Sequence, residues 1–513
     1  MTGNKYRELE RICPEEAGIS SSAVKNFVEK VQHDKTQMHG IMAMKDGRVF
    51  LEGWWEPYGR EYPHSCHSMG KSYVCTAIGI ACTQGLLSME TRIADLFAEE
   101  IKEWDIHQTD AFGRLQVRHV VTMTSGMEHM SELSDDWIYQ YLKNPVVFEP
   151  GSRFLYNTAG SCLLAVIIRK VTGQDVSAYL SANLFSKIGI DPDTVIWLKF
   201  HDGNIAEPGC FSLTENNLRL GMLYVNEGMW DGEQIIDKQW IRDALSVHID
   251  NSDWPGGKDS RCGYGYQLWK CAYPGAWRFD GGQGQFCIML PEKKILVAIN
   301  EGGVEPFGPG RTLEMIYRYL FDEIEEEPLE RNEKDYKALC SYISSLRVAE
   351  TPPNVYMPAE DCFSGTYRVT GGNATPWIGV SPNGFNFFES FYDPAKKKEM
   401  TDFTICADKE KVVLSVNGYA DFYAWFDGEI RIHYTDSVLP QLDRTYSTAR
   451  FLDDHTLEIT INWIAGWFVT VMTFKREQDG SYSVCASKNI LNEQRPFFTD
   501  RSRAVKYEIN RKL

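Results

Sequence analysis

The stretch that most restricts how this chain can fold is the run from Tyr73 to Cys82, which is small and apolar almost all the way round. Such a run offers no polar stripe to water, so it reads as a helix enclosed within a domain. The residues that open it, His67 to Ser72, put a hydroxyl and an amine three positions apart at Ser68 and Lys71. That spacing sets both on one face of the first turn, roughly 5–6 Å apart at Cβ. The backbone N–H of Ser68 is one of the unpaired donors at a helix start. Burial and the positive end of the helix dipole favour an uncharged lysine, the form able to take a proton. These are the requirements of an activated serine nucleophile.

Spacing alone is weak evidence, because Ser22 and Lys25 repeat it in an ordinary amphipathic stretch. Other readings of the same residues fail. Gly70-Lys71-Ser72 could end a phosphate-binding loop, but the leading glycine of that pattern falls at Ser65. Cys66, Ser68 and Gly70 do not form a Gly-x-Ser-x-Gly elbow. His64 and His67 lack the glutamate or cysteine pair that would make a metal site, and no metal or other cofactor is expected.

At 513 residues the chain exceeds one compact core, and 43% apolar residues are enough to build two or three. A net charge of −18, spread along the sequence, argues against nucleic acid or an anionic membrane as partner. No stretch approaches eighteen uninterrupted apolar residues, and the first residues lack the apolar core of a secretory signal. Thirteen unpatterned cysteines without a Cys-x-x-Cys pair read as reduced thiols, so a cytoplasmic location is expected.

In chain order, a helix follows Ser20, and strands flank the turn at Asp46-Gly47. A helix is expected from Leu115 to Met127, stopped by Gly126, and helices dominate from Leu163 to Leu245. Strands return at 263–269, 277–280, 285–290 and 294–300. Strands at both ends of a helical middle describe an α+β domain over residues 1–330 whose sheet joins its termini. Residues 331–358, charged and then proline-rich, read as a linker with one short helix. From 359 to 513, strand-like runs alternate with turns at Asn417-Gly418, Asp427-Gly428 and Asp479-Gly480, the pattern of an all-β barrel or half-barrel.

Taken together, Asp46 to Trp55, Ser68 to Lys71, Val117 to Gly126, Pro150 to Tyr156, Gly263 to Trp269 and Gly284 to Glu292 resemble, in order, the serine β-lactamase and penicillin-binding-protein superfamily. The resemblance is to the branch of class C β-lactamases, esterases and D-aminopeptidases. It implies an antiparallel sheet flanked by helices with a helical subdomain, followed by a lipocalin-like barrel from Phe363 onward. It also implies catalysis by Ser68, Lys71 and Tyr156. The tyrosine stands first in the family's Tyr-x-Asn motif. Its phenol takes the serine proton or supplies one to the leaving group, if Lys71 lowers its pKa. Thr158 replaces the motif's asparagine, which leaves Asn157 and Thr158 as the residues directed to a substrate carbonyl.

The family's third motif, Lys-Thr-Gly or His-x-Gly, aligns with Phe279-Asp280-Gly281, and Gly282 then partners the Ser68 N–H in an oxyanion hole. A slip of one residue gives Asp280-Gly281-Gly282 instead and exchanges the side chain facing the site; both registers stay open. The cation that grips a substrate carboxylate is missing, and Arg278 is expected on the opposite strand face. The resemblance therefore implies hydrolysis of a small neutral ester or amide through an acyl-enzyme on Ser68. The alternatives are a D-amino-acid-specific peptidase or amidase, and a non-catalytic binding protein. A homo-oligomer stays open.

Overall fold

The computed structural model describes residues 8–34, 37–130, 136–200, 202–302, 311–348, 353–359, 362–371, 402–416, 420–434, 444–466, 469–488 and 505–512. Contacts divide the chain into two units, Met1–Trp55 with Gly59–Leu346, and Glu56–Tyr58 with Arg347–Leu513. The division cuts the stretch 331–358: its helix, Glu333–Ile343, packs on the helix Ser21–His33 of the first unit.

The first unit is α+β. The elements that build the site run in the order α1 (Ser21–His33), β1 (Met38–Lys45), β2 (Arg48–Trp54), α2 (Gly70–Thr83), α3 (Thr158–Thr172), β3 (Ile205–Ser212), α4 (Thr214–Val225), β4 (Trp277–Gly281), β5 (Gln285–Leu290) and β6 (Ile295–Glu301). β1 and β2 turn through Asp46 and Gly47, both at positive φ (51° and 78°), the turn geometry that suits the twist of a hairpin. The sheet order is β2-β1-β6-β5-β4, then the short strand Trp269–Lys270, with every pairing antiparallel. The first hairpin thus closes on the last strand, and the helical middle is an insertion between them.

Ser20 caps α1 by accepting a hydrogen bond from the Ala23 N–H at 3.1 Å. Its apolar stripe, Val24, Phe27, Val28 and Val31, is buried, and the helix packs against Arg311–Ile316, Tyr317–Phe321 and Glu333–Ile343. Each such side chain contributes about 1.5–3 kcal/mol of burial.

α2 is the enclosed helix: every residue from Gly70 to Ala81 is buried, packed between α3 and β3. Its polar groups are satisfied by neighbours. Tyr73 Oη donates to Asn217 Oδ1 at 2.8 Å, and Thr76 Oγ1 donates to the Ser72 carbonyl at 2.7 Å. The Tyr73 bond, with a contact of 3.0 Å between Thr76 Oγ1 and Tyr224 Oη, ties α2 to α4, which itself lies on β1, β5 and β6.

Two expected elements are shorter than the residue pattern suggested. The helix expected from Leu115 to Met127 covers only Val117–Val121, where Gln267 Nε2 caps the carbonyls of Val120 and Val121 at 3.2 and 2.9 Å. The strand expected at 263–269 survives only as Trp269–Lys270, since Gln267 takes a positive φ of 55°.

The second unit is all-β. Its ten-stranded sheet curls back on itself where Ala424 and Trp425 pair in parallel with Ser447 and Thr448. Phe363, Tyr367, Leu414, Ile459, Trp463 and Phe474 fill its core. Gly428 and Gly480 take positive φ at the expected turns, while the turn at Asn417-Gly418 lies outside the described residues. Among the described residues no helix is long and apolar enough to cross a membrane.

Candidate active site

Ser68 sits in a single helical turn, His67–Met69, that leads straight into α2. The residue before it, His67, takes φ 48°, a backbone conformation that costs a non-glycine residue on the order of 1–3 kcal/mol. Ser68 remains half-exposed while the helix behind it is closed to solvent. Gly70 is required there, because a Cβ would lie 2.3 Å from the Glu207 carbonyl oxygen and 2.9 Å from Cys210 Cβ. Its absence lets α2 begin directly on the backbone of β3.

That close approach decides the electrostatics. Lys71 Nζ donates to Ser68 Oγ at 3.1 Å and to Glu207 Oε2 at 2.8 Å. Burial disfavours the Lys71 ammonium, but the Glu207 carboxylate overrides it and holds the lysine's pKa above its ordinary value. The expectation of an uncharged lysine is therefore corrected: local burial and dipole arguments omit a carboxylate that arrives from a distant strand. Burial raises the Glu207 carboxyl above the usual range, with Lys71 pulling it back. Glu207 Oε1 has no hydrogen-bond partner among the described residues.

Tyr156 stands over the same group, with Lys71 Nζ 5.1 Å from its ring centroid. Burial raises the Tyr156 pKa; Lys71 and a hydrogen bond with Ser68 lower it only in part, so the phenol is protonated at rest. Lysine does act on the phenol in the direction anticipated, but burial outweighs it. Tyr156 is stacked on Trp269 at 5.9 Å and lies 5.7 Å from Trp254, and Phe154 meets both tryptophans. Phe154, Tyr156 and Trp254 are half-buried and form an aromatic wall beside the Lys71 group.

β4 carries the third motif past the Ser68 turn. A Cβ on Gly281 would fall 2.0 Å from the Cys66 carbonyl oxygen, so the strand end meets the backbone two residues before Ser68 with no room for a side chain. Gly282 follows at the turn and is half-buried. Phe279 is wholly buried and packs edge-on against Tyr224 of α4, on the strand face that Gly281 turns to the Cys66 carbonyl. Asp280 lies on the other face of β4, where its charge acts on Lys71 and Tyr156. Arg278 shares that face, opposite Phe279 as the strand alternation leads one to expect. Its Nε donates to Asp280 Oδ2 at 2.7 Å and its Nη1 to the Asp259 carbonyl at 2.8 Å. Arg278 does not take the place of the motif's missing cation, since it is buried and matched by Asp280.

Asn157 does not face a substrate. Its Oδ1 accepts from Gly160 N–H at 3.1 Å as the cap of α3, and its Nδ2 donates to the carbonyls of Met127 and Glu128 at 3.2 and 3.4 Å. An asparagine at a helix start satisfies donors that would otherwise be orphaned, and that use consumes the amide. Thr158, the first residue of α3, is half-buried.

Glu207 escaped the sequence reading. One signal was available: a carboxylate within Ile205–Ser212, a strand buried at all eight positions, is placed where acids almost never stand without a partner. Among the described residues no group of three His, Cys, Asp or Glu side chains is arranged to hold a metal ion.

The sequence model of the Beta-lactamase family matches residues 24–311. Among solved structures, a Bacillus anthracis protein assigned as a 6-aminohexanoate-dimer hydrolase is 17% identical, covering 62% of this chain and 87% of its own, at a TM-score of 0.50. The octameric penicillin-binding protein homologue from Pyrococcus abyssi is 16% identical over 95% of this chain and 99% of its own, at a TM-score of 0.48. A penicillin-binding protein homolog from Caulobacter crescentus is 15% identical over 62% and 100%, also at 0.48. At such identities the likeness is one of fold. No curated protein matches the sequence.

Proposed function

The chain belongs to the Beta-lactamase family, and from that premise we propose that it is a serine hydrolase that opens a small carboxylic ester or amide through an acyl-enzyme on Ser68. The observation that carries this reading is the line of contacts Ser68 Oγ–Lys71 Nζ–Glu207 Oε2, at 3.1 and 2.8 Å. Lys71 cannot act as a base while it holds its full set of protons. The buried pair can: the Ser68 proton passes to Lys71 as Lys71 releases one to Glu207, so the pair gains one proton and the ammonium stays beside the reacting serine.

Ser68 Oγ bonds to the substrate carbonyl carbon, and the N–H groups of Ser68 and Gly282 receive the charge that develops on oxygen. Collapse breaks the bond to the alcohol or amine, which leaves with a proton from Tyr156. The phenol is resupplied from Glu207 through Lys71. Water then attacks the acyl-enzyme, gives its proton to the same relay and frees the acid and Ser68. The thirteen cysteines, scattered without a Cys-x-x-Cys pair, favour a reducing compartment such as the cytoplasm.

Labelling with a fluorophosphonate, followed by peptide mapping, tests the assignment. Wild type should be labelled at Ser68 and Ser68→Ala should lose both labelling and ester turnover. A label on Ser22, or labelling that survives in Ser68→Ala, overturns the reading. A folded wild type that is neither labelled nor active would be a binding protein that retains the fold.

A further inference from the structure

The two cations that act on the site are each matched by a carboxylate, but the two pairs differ in orientation. Lys71 and Glu207 are both sealed from solvent, at 1% and 0% side-chain exposure. In the second pair Arg278 is wholly buried at 0%, whereas 20% of the Asp280 side chain remains exposed. The guanidinium is locked behind the carboxylate by Asp280 Oδ2, the Asp259 carbonyl and Ser260 Oγ, at 2.7, 2.8 and 3.5 Å. Among the described residues no donor engages Asp280 Oδ1. The pair is therefore a fixed dipole with its positive end buried and its negative end on the strand face shared by Trp269, which stacks on Tyr156.

A second observation points the same way. The wall beside Asp280 is aromatic: Arg278 lies 5.7 Å from the Trp269 ring, Trp269 stacks on Tyr156, and the half-buried Trp254 closes on both at 5.9 and 5.7 Å. Aromatic faces next to a carboxylate favour a cation, through the ring quadrupole and through a charge-assisted hydrogen bond. A substrate carboxylate at this position meets the like charge of Asp280.

We propose that the substrate carries a protonated amine close to the scissile bond, received by Asp280 Oδ1 and flanked by the faces of Trp254 and Tyr156. The inference rests on the hydrolase reading above and narrows it from a neutral to a cationic ester or amide. A charge-assisted hydrogen bond and a partly desolvated cation–π contact together amount to a preference of roughly 10- to 100-fold over a neutral isostere.

Two matched sets of esters test it on the full-length protein. With the charge on the leaving group, the set is the butyrates of 2-(dimethylamino)ethanol, 3-methylbutanol and 3-hydroxypropanoate. With the charge on the acyl side, it is the ethyl esters of 3-(dimethylamino)propanoate, 4-methylpentanoate and succinate. In one of the two sets kcat/KM should fall in the order cation, neutral, carboxylate, with the cation ahead by about tenfold or more. That preference should shrink toward unity in Asp280→Asn and fall in Trp254→Leu. Asp280→Asn leaves Arg278 buried and unpaired, so if it does not fold, Trp254→Leu and the wild-type series still decide the matter. Turnover with no preference for the cation in either set, or with the carboxylate preferred, overturns this inference alone. No turnover of any of the six overturns this inference, and the hydrolase reading falls with it if fluorophosphonate also fails to label Ser68.

Discussion

Glu207 Oε2 lies 2.8 Å from Lys71 Nζ, and neither side chain meets solvent. A buried ion pair of this kind is weak evidence of stabilisation, because desolvation offsets much of the attraction. Its consequence here is chemical: it decides which group next to Ser68 can accept a proton.

Glu207→Gln removes the acceptor and leaves an ammonium buried without its carboxylate. We expect a loss of about 3–5 kcal/mol in stability and a fall of about 10²–10⁴-fold in kcat/KM. In wild type the pair accepts a proton only when Glu207 is ionised, so kcat/KM should rise with pH. Its limb should lie above the ordinary carboxylate value of 4.5 and below the ordinary lysine value of 10.5, and its apparent pKa belongs to the pair. A wild-type rate that begins to rise only above pH 10.5 would show that lysine alone is the base.

Lys71→Ala breaks the relay in its middle, and Tyr156→Phe removes the proton offered to the leaving group. Each should slow acylation by about 10²–10⁴-fold in single-turnover measurements. The tyrosine change should matter most for substrates with poor leaving groups, such as alkyl amides, and least for nitrophenyl esters. Equal losses on both classes would remove Tyr156 from the role of acid.

Gly281→Ala places a Cβ 2.0 Å from the Cys66 carbonyl oxygen and 2.9 Å from Gln285 Cβ. The strand end must retreat from the Ser68 turn and carry Gly282 with it. Overpacking of this kind costs about 1–3 kcal/mol in stability. Displacing an oxyanion donor should lower kcat by about 10²–10³-fold. Fluorophosphonate labelling rates and thermal unfolding separate the two effects. Near-wild-type labelling in the folded variant would exclude Gly282 as a donor.

Glu301, at the end of β6, accepts a hydrogen bond from Thr312 Oγ1 at 2.7 Å. Burial raises its carboxyl from 4.5 to about 8, with the threonine opposing. Between those values the folded state binds the extra proton, so its contribution is fully present below pH 4.5 and lost as pH rises to about 8. Wild type should lose stability across that window relative to Glu301→Gln, by an amount on the order of a few kcal/mol. Denaturant unfolding of both proteins at several pH values measures the difference, and parallel curves would exclude Glu301 as the source.

What could be read from the residues alone was what is local in sequence. Ser68 and Lys71 meet because a helical turn brings positions three apart together, whatever surrounds them. The enclosed α2 follows from the apolar run, and the β1–β2 hairpin from Asp46-Gly47, since periodicity and turn chemistry act over a few residues. The order of motifs along the chain was enough to place it in its family and fold class. The tertiary structure decided what depends on distant partners. Glu207 reaches Lys71 across 136 positions and reverses the charge state that burial would impose on an isolated lysine. Asn157 was drawn into capping α3 because unpaired N–H groups at a helix start bind the nearest acceptor. Phe279 went under α4 and Asp280 to the other face of its strand, since a strand alternates sides but does not itself say which neighbour covers each. Coulomb energies and burial are set by what stands within a few ångströms in space, and spacing along a sequence carries that information only within a turn or a hairpin.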